Sequence, residues 1–152
     1  MNENRESLRR IIHAMNVIDG IYDMLAKKMN IKTNTLTLLY ALDDGKTHIQ
    51  KEICKEWLIP KTTLNTIIKE CVNDGYIILN YHNGHKEKEI YLTDKGRQYT
   101  KSIMQQVYDL EERAMAATLQ EVSDEFINGF ECFTKHLNEE MRLFQNESRK
   151  TI

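Results

Sequence analysis

One short stretch carries polar side chains of the types and spacing that suit recognition of a nucleic-acid groove. At helical spacing, the apolar residues between 60 and 71 fall on one side and the polar residues on the other. An asparagine can pair bidentately with an adenine edge, a threonine can contact a base or a thymine methyl, and a lysine can hold phosphate or guanine. The outward residues are Lys61, Thr62, Asn65, Thr66 and Lys69, with Pro60 and Thr63 beside them. An ordinary solvated helix face would show the same pattern, so that alternative stays open.

The other residues capable of chemistry are few and scattered. His82 and His85 have the spacing of two zinc ligands, but two are too few for a site, and we expect surface histidines and no metal. The three cysteines are widely spaced, which favours reduced thiols over a disulfide framework. Cys54 and Cys71 fall at apolar helix positions, where cysteine behaves as a small buried group. We therefore expect structural thiols and no cofactor.

Length and composition narrow the class of protein. The chain has 152 residues, of which 41% are hydrophobic and 29% charged, so it can build one core with little apolar surplus. It contains no apolar run long enough to span a membrane, and the residues after Met1 do not resemble an export signal. No phosphate-cradling loop, nucleophile elbow or metalloprotease motif occurs. We therefore expect a cytoplasmic protein without membrane association that is not an enzyme.

The charge is uneven along the chain. The net charge is −2, but residues 46–101 carry ten Lys/Arg against seven Asp/Glu, and residues 102–152 carry five against ten. A positive middle beside an acidic C-terminal third suits a polyanion-binding module on a helical support. Acidic helices are also common as plain soluble surfaces, so charge alone does not decide.

The first half of the chain has the periodicity of four helices. Apolar residues recur every three or four positions from about 6 to 29, and a short, largely buried helix over 36–42 follows an N-cap chosen from 33–35. Thr47 and Gln50 resemble a capping box that opens a third helix, with Ile49, Ile53, Cys54 and Trp57 facing inward. Pro60 fits the start of a fourth helix, which stops at residues 74–75.

The second half begins with a change of period. Residues 76–81 and 88–92 are rich in β-branched and aromatic types, and Asn83-Gly84 between them is a strong hairpin turn. Thr93-Asp94 then caps a long helix, and Ser123 caps a final one. The order helix, helix, turn, helix, hairpin is that of a winged helix-turn-helix, whose second helix enters the DNA major groove.

Four segments resemble the MarR family of bacterial transcriptional regulators. They are Gln50-Lys51-Glu52-Ile53, Ile59-Pro60-Lys61-Thr62-Thr63-Leu64, Gly75-Tyr76-Ile77 and Leu92-Thr93-Asp94-Lys95-Gly96-Arg97. The resemblance implies a homodimer built by the terminal helices, two winged modules on a pseudo-palindromic operator, and a pocket for a small-molecule effector. The predicted fold class is mainly α with a small β-hairpin wing. We expect a single domain, 1–152, in which 33–97 form the DNA-binding core and 5–30 and 98–148 are dimerisation helices.

The hairpin departs from the family pattern. MarR-type wings commonly carry an Asp-x-Arg before the Leu-Thr, but those positions hold Gly84 and Lys86 here. Because lysine lacks the planar fork of arginine, we expect His85, Lys86 and Lys88 to contact phosphates rather than read the minor groove. A charged edge strand protected from aggregation by its lysines is the alternative.

The terminal helices predict a second copy of the chain. Their apolar seams are too long for one winged module to cover, and aromatic residues would supply most of the buried area. The predicted dimer residues are Ile11, Ile12, Phe126, Phe130, Phe133, Leu137, Met141 and Phe144. A monomer with an intrachain antiparallel helix pair is the alternative.

These observations together favour one function. We expect a homodimeric repressor that binds double-stranded DNA and is released by a small ligand. The alternative is a winged-helix module that binds protein without sequence-specific DNA binding, since fold alone does not choose between them.

Overall fold

The computed structural model describes residues 3–81 and 88–150, and its elements follow the predicted order with one addition. The strands of the described residues form one antiparallel sheet in the order β1-β3-β2. The predicted fold class, mainly α with a small β wing, is confirmed. The elements are α1 (Glu3–Lys28), α2 (Thr33–Leu42), β1 (His48–Ile49), α3 (Gln50–Glu56), α4 (Lys61–Asn73), β2 (Ile77–Tyr81), β3 (Lys88–Leu92), α5 (Asp94–Glu121) and α6 (Glu125–Lys150).

The chain divides into two compact units, residues 1–108 and 109–152. The first unit holds α1 to β3 and the first half of α5, and the second holds the rest of α5 and α6. The unit with the winged helix-turn-helix thus runs past the predicted boundary at residue 97, because the start of α5 packs into its interior. The predicted division into a core and dimerisation helices within one domain stays a prediction.

Helix α2 supplies side chains to both apolar clusters of the first unit. Leu38 and Leu42 pack in a cluster with residues of α3, α4 and the sheet, whereas Leu36 and Leu39 pack with residues of α1 and α5. The apolar residues of α2 thus lie on more than one side of the helix and are buried on each. The predicted short, buried second helix is therefore confirmed.

The added element is β1, which the sequence analysis missed. His48 pairs with Ile90 and Ile49 with Glu89, so a two-residue strand extends the wing sheet. The predicted capping box at Thr47 is wrong, because this pairing keeps Ile49 extended and makes it the N-cap, with no side-chain hydrogen bond to the helix. Such a short strand leaves no alternation of polar and apolar residues to read.

Two other helix starts lie one residue from their predicted places. The N-cap of α2 is Lys32, so Thr33 is already helical, and the N-cap of α4 is Pro60, so the helix proper begins at Lys61. Neither N-cap side chain bonds to its helix. In contrast, Thr93 caps α5 as predicted, because its Oγ1 accepts the Gly96 N–H at 2.8 Å.

Two of the family-like segments meet at the base of the wing. Thr93 Oγ1 donates to the Gly75 carbonyl oxygen at 2.7 Å, and the Thr93 N–H donates to that of Tyr76 at 3.0 Å. A Cβ at Gly96 would lie 1.9 Å from the Tyr76 carbonyl oxygen, so only glycine fits there. Gly75 ends α4 in the left-handed region with φ of 75°, as its predicted stop requires. These segments therefore fix the wing on the helix-turn-helix.

Candidate nucleic-acid interface

Helix α4 separates the predicted buried and exposed faces. Leu64, Ile67, Ile68 and Cys71 are buried, as the apolar spacing predicts. Pro60, Lys61, Thr62, Thr66 and Lys69 are exposed, whereas Thr63 and Asn65 are half-buried. The described residues of this chain thus leave the polar face of the helix open to a partner.

The hydroxyl of Thr66 bonds within its own helix. Its Oγ1 donates to the Thr62 carbonyl oxygen at 3.1 Å. A threonine with its hydroxyl turned back to the preceding turn presents its methyl group outward. Thr66 therefore suits the predicted contact with a thymine methyl better than donation to a base.

A groove of about 640 Å³ brings the start of α4 together with α3 and the wing. It places Lys88, a predicted wing residue, beside Lys61 and Asn65 of α4. Two further lining residues, Gln50 and Lys51, were not among the predicted DNA-contacting residues, although they belong to a family-like segment. The lining residues are Ile49, Gln50, Lys51, Cys54, Lys61, Asn65 and Lys88.

The amide of Asn65 is held by a neighbour. Gln50 Nε2 donates a hydrogen bond to Asn65 Oδ1, and both side chains are half-buried. The contact joins residues 15 positions apart and depends on the angle between α3 and α4. The sequence shows each residue, but no periodicity indicates that they meet.

The wing is described only at its strands. β2 and β3 pair from Ile77 with Leu92 to Tyr81 with Lys88, which confirms the predicted hairpin. Of the predicted wing contacts, His85 and Lys86 lie outside the described residues, as do the His82–His85 pair and the Asn83-Gly84 turn. Within the described residues, no group of three or more His, Cys, Asp or Glu side chains could hold a metal ion.

Alternation along β3 separates its charges as predicted. Lys88 lines the groove beside α4, whereas the next residue, Glu89, accepts a hydrogen bond from the Tyr91 hydroxyl. That bond to the carboxylate raises the pKa of Tyr91. Neighbouring residues of a strand face opposite sides. A phosphate beside Lys88 would therefore be spared direct repulsion by Glu89.

A second cavity, of about 480 Å³, lies between α1, α2 and the end of α3. The Tyr40 ring packs against Trp57 with 5.6 Å between centroids and against Tyr108 with 5.7 Å. Trp57 is 39% exposed, so its predicted inward position is wrong. It is the C-cap of α3, and its ring lies at the cavity beside Tyr40 instead of in the core. The lining residues are Asp19, Tyr22, Thr33, Leu36, Thr37, Tyr40 and Trp57.

Large apolar side chains remain exposed on α1 and on α6. Of the predicted dimer residues, Ile11 and Phe133 are half-buried, and the other six are exposed by between 43% and 65%. The six are Ile12, Phe126, Phe130, Leu137, Met141 and Phe144. The dimer contacts of these eight residues stay a prediction.

The three cysteines lie in different surroundings. Cys71 is buried, Cys54 is half-buried at the groove, and Cys132 is exposed on α6. Burial, together with the nearby Asp74 and Glu70 carboxylates, raises the pKa of the Cys71 thiol to about 11. A buried thiol with a raised pKa is unreactive. This agrees with the structural role predicted for Cys71.

The architecture is that of a winged helix-turn-helix protein with long terminal helices, and comparison with known proteins narrows the class. Residues 29–85 match a sequence model of the MarR family. The resemblance predicted from the four segments is therefore confirmed: the family model matches the helix-turn-helix segment, and the chain has the fold of solved MarR family regulators. No curated protein matches the sequence.

Three solved structures illustrate the likeness of fold. A MarR family regulator from Neisseria meningitidis has a TM-score of 0.78 and 17% identity, covering 90% of this chain and 96% of that chain. A MarR family transcriptional regulator from Listeria monocytogenes, complexed with 26mer DNA, has a TM-score of 0.66 and 24% identity, covering 88% and 87%. Staphylococcus aureus MarR, in complex with salicylate and kanamycin, has a TM-score of 0.65 and 18% identity, covering 91% of each chain.

Within the described residues, no helix combines the length and the apolar character needed to cross a membrane.

Proposed function

We propose that this protein is a DNA-binding transcriptional regulator of the cytoplasm that reads double-stranded DNA with α4. The observation that carries the proposal is the division of α4 into a buried apolar face and an open polar face. The match of residues 29–85 to the MarR family and the DNA-bound relative of similar fold support it. The predicted contact residues are Pro60, Lys61, Thr62, Thr63, Asn65, Thr66 and Lys69 from the helix, with His85, Lys86 and Lys88 from the wing.

The regulator acts as a homodimer on a pseudo-palindromic operator. Exposed apolar side chains on α1 and α6 support a partner with the same surface, since a twofold interface joins identical patches. Two recognition helices would then enter successive major grooves about 34 Å apart. A dimer bound across a promoter would exclude polymerase, which is the action of a repressor.

A titration of DNA binding against salt tests this proposal. Each phosphate contact lowers log K by about 0.9 for each unit of log salt, so binding should weaken steeply as salt rises. The double variant Lys61→Gln, Lys69→Gln should flatten that slope. Lys27→Gln is the control, because Lys27 pairs with Asp23 on α1 at 2.5 Å, away from the groove. Absence of binding to any duplex at low salt would favour the protein-binding alternative, which the net charge of −2 also supports.

A small molecule releases the DNA by occupying the cavity beside Tyr40. Helix α2 lines that cavity with Leu36, Thr37 and Tyr40, and the same helix packs Leu38 into the core under α4. A ligand that favours one placement of α2 would therefore shift α4 as well. Aromatic rings and the Asp19 carboxylate line the cavity without any lysine or arginine among its described lining residues. The chemistry favours an aromatic compound with a cationic group.

The only tryptophan of the chain reports on this cavity directly. An effector should change Trp57 fluorescence over the same concentration range in which it releases operator DNA. Asp19→Asn should weaken a cationic effector several-fold, and Asp124→Asn, outside the cavity, should leave it unchanged. Release of DNA without any change in Trp57 fluorescence would place the effector elsewhere.

A further inference from the structure

The side chains of Gln50 and Asn65 form an amide pair in the groove between α3 and α4. Gln50 donates through Nε2, and Asn65 accepts through Oδ1. Both side chains line the groove with Lys61 and Lys88. The base-reading residue of the proposed interface is thus already bonded to a residue outside the recognition helix.

An asparagine amide is ambiguous on its own. Its oxygen and nitrogen ends have nearly the same shape, so rotation of the amide exchanges an acceptor for two donors. Bidentate reading of adenine needs both ends in fixed places, with the oxygen accepting from N6 and the nitrogen donating to N7. Guanine offers two acceptors at the same edge and would favour the nitrogen end. Which base is preferred therefore depends on which way the amide is turned.

The hydrogen bond from Gln50 couples the two amides. With Gln50 Nε2 turned toward Asn65, a reversed Asn65 amide would set two donors against each other, so Asn65 can turn only if Gln50 turns with it. The oxygen keeps a second lone pair, and both N–H groups of Nδ2 remain for a base. The fixed amide therefore offers one acceptor and one donor side by side, as adenine requires.

Gln50 is itself held by the wing sheet. It is the first residue of α3, and the preceding Ile49 pairs with Glu89 of β3. The backbone that carries the Gln50 amide is therefore fixed by the sheet, and not only by the turn between α3 and α4. This support keeps the Gln50 side chain within hydrogen-bonding reach of Asn65.

We propose that Gln50 is a positioning residue that sets base specificity by holding the Asn65 amide in the orientation that reads adenine. The proposal rests on the proposed DNA-binding function and deepens it. Gln50 needs no base contact of its own. Its effect is on which base Asn65 prefers.

The experiment measures base preference with the full-length protein. Duplexes selected from a randomised pool supply an operator, and Asn65→Ala identifies the base pair that Asn65 reads as the position where base preference disappears. Affinities for all four base pairs at that position are then measured for the wild type and for Gln50→Met. Methionine has a similar length without the amide, so it removes the hydrogen bond and retains most of the packing.

The wild type should prefer adenine at this position by about 10-fold or more, as a bidentate contact does. Gln50→Met should reduce that preference to about 3-fold or less, while binding to random duplex changes by less than about 2-fold. In the double variant with Asn65→Ala, the Gln50 substitution should have no further effect on base preference, because the two residues act as one unit. Unchanged thermal unfolding of Gln50→Met would show that the helices remain in place.

Three results would overturn the inference without touching the proposed function. They are an unchanged adenine preference in Gln50→Met, a wild-type preference for another base, and an Asn65→Ala variant that loses preference at no position. Failure of the wild type to bind any duplex at low salt would instead refute the proposed function itself.

Discussion

Helices α2 and α6 are both rich in apolar residues, yet the chain treats them in opposite ways. In α2 every leucine is buried. Two of them pack in the cluster that contains Leu38, and the other two pack in the cluster that contains Leu39. In α6 most of the large apolar side chains are exposed, from Ile127 at 39% to Phe144 at 65%, and Phe133 is half-buried. Fully burying a large apolar side chain stabilises a protein by about 1.5–3 kcal/mol, so covering the exposed side chains of α6 would add stability. The difference separates residues that build the fold from residues that the proposed dimer would bury.

The largest expected effect comes from breaking the buried side of this comparison. Leu38→Ala removes a fully buried side chain from the cluster under α4 and should lower the free energy of unfolding by about 2–5 kcal/mol. Urea denaturation at two protein concentrations measures it, and the loss should be the same at both. Leu58→Ala is the control, because that side chain is 82% exposed and should cost less than about 0.5 kcal/mol. Equal losses for the two variants would contradict the assigned core.

Breaking the exposed side should affect association instead of folding. Phe130→Ala removes an aromatic side chain that is 45% exposed in the single chain and should weaken a dimer by about 2 kcal/mol, or about 30-fold in Kd. Analytical ultracentrifugation should show the wild type near twice 18.0 kDa and the variant shifting toward the single-chain mass on dilution. Helix content should not change. Glu131→Ala, at the next residue of α6, serves as the control, and a wild type that sediments as a monomer would refute the dimer.

The comparison also shows what the sequence could and could not predict. Periodicity shows the inward face of α4, because Leu64, Ile67 and Cys71 recur at helical spacing and their burial follows from that spacing alone. The apolar residues of α6 recur at a similar helical spacing, but the spacing does not show whether the same chain or another one covers them. Whether a side chain is buried depends on the residues that pack against it, and only the tertiary structure shows those residues.

The parts of the site that the sequence analysis missed are contacts between distant residues. The Gln50–Asn65 hydrogen bond, the two-residue strand at His48 and the Trp57 ring beside Tyr40 all depend on how α3 is oriented. Local propensity carries no record of that orientation. Glycines were easier to interpret, since Gly75 ends a helix at a position where left-handed backbone is required.

A smaller effect should distinguish the buried thiol from the exposed one. Burial raises the Cys71 pKa from 9.0 to about 11, so the folded state holds its proton more tightly than the unfolded state. The resulting stabilisation is complete below pH 9 and is lost as pH rises toward 11, at a cost of roughly 2 kcal/mol. Unfolding free energies measured from pH 8 to 11 should fall more steeply for the wild type than for Cys71→Ala. Cys132→Ala, which alters an exposed thiol, should keep the wild-type slope.

The smallest effect is expected on the exposed polar face of α4. It tests the difference between buried and exposed residues within a single helix. Lys69 is exposed on the helix that buries Cys71 two residues further on, so its removal should not alter folding. If it holds a phosphate, Lys69→Gln should weaken binding to specific and random duplexes alike, by about 0.5–1 kcal/mol, and should reduce the salt slope by about 1. Asn65→Ala should do the reverse, because a base contact affects one sequence and leaves the salt slope unchanged. Unequal losses on specific and random DNA for Lys69→Gln would reassign Lys69 from positioning to reading. The role of each exposed residue of α4 would then depend on which part of the DNA it contacts, and not on its residue type.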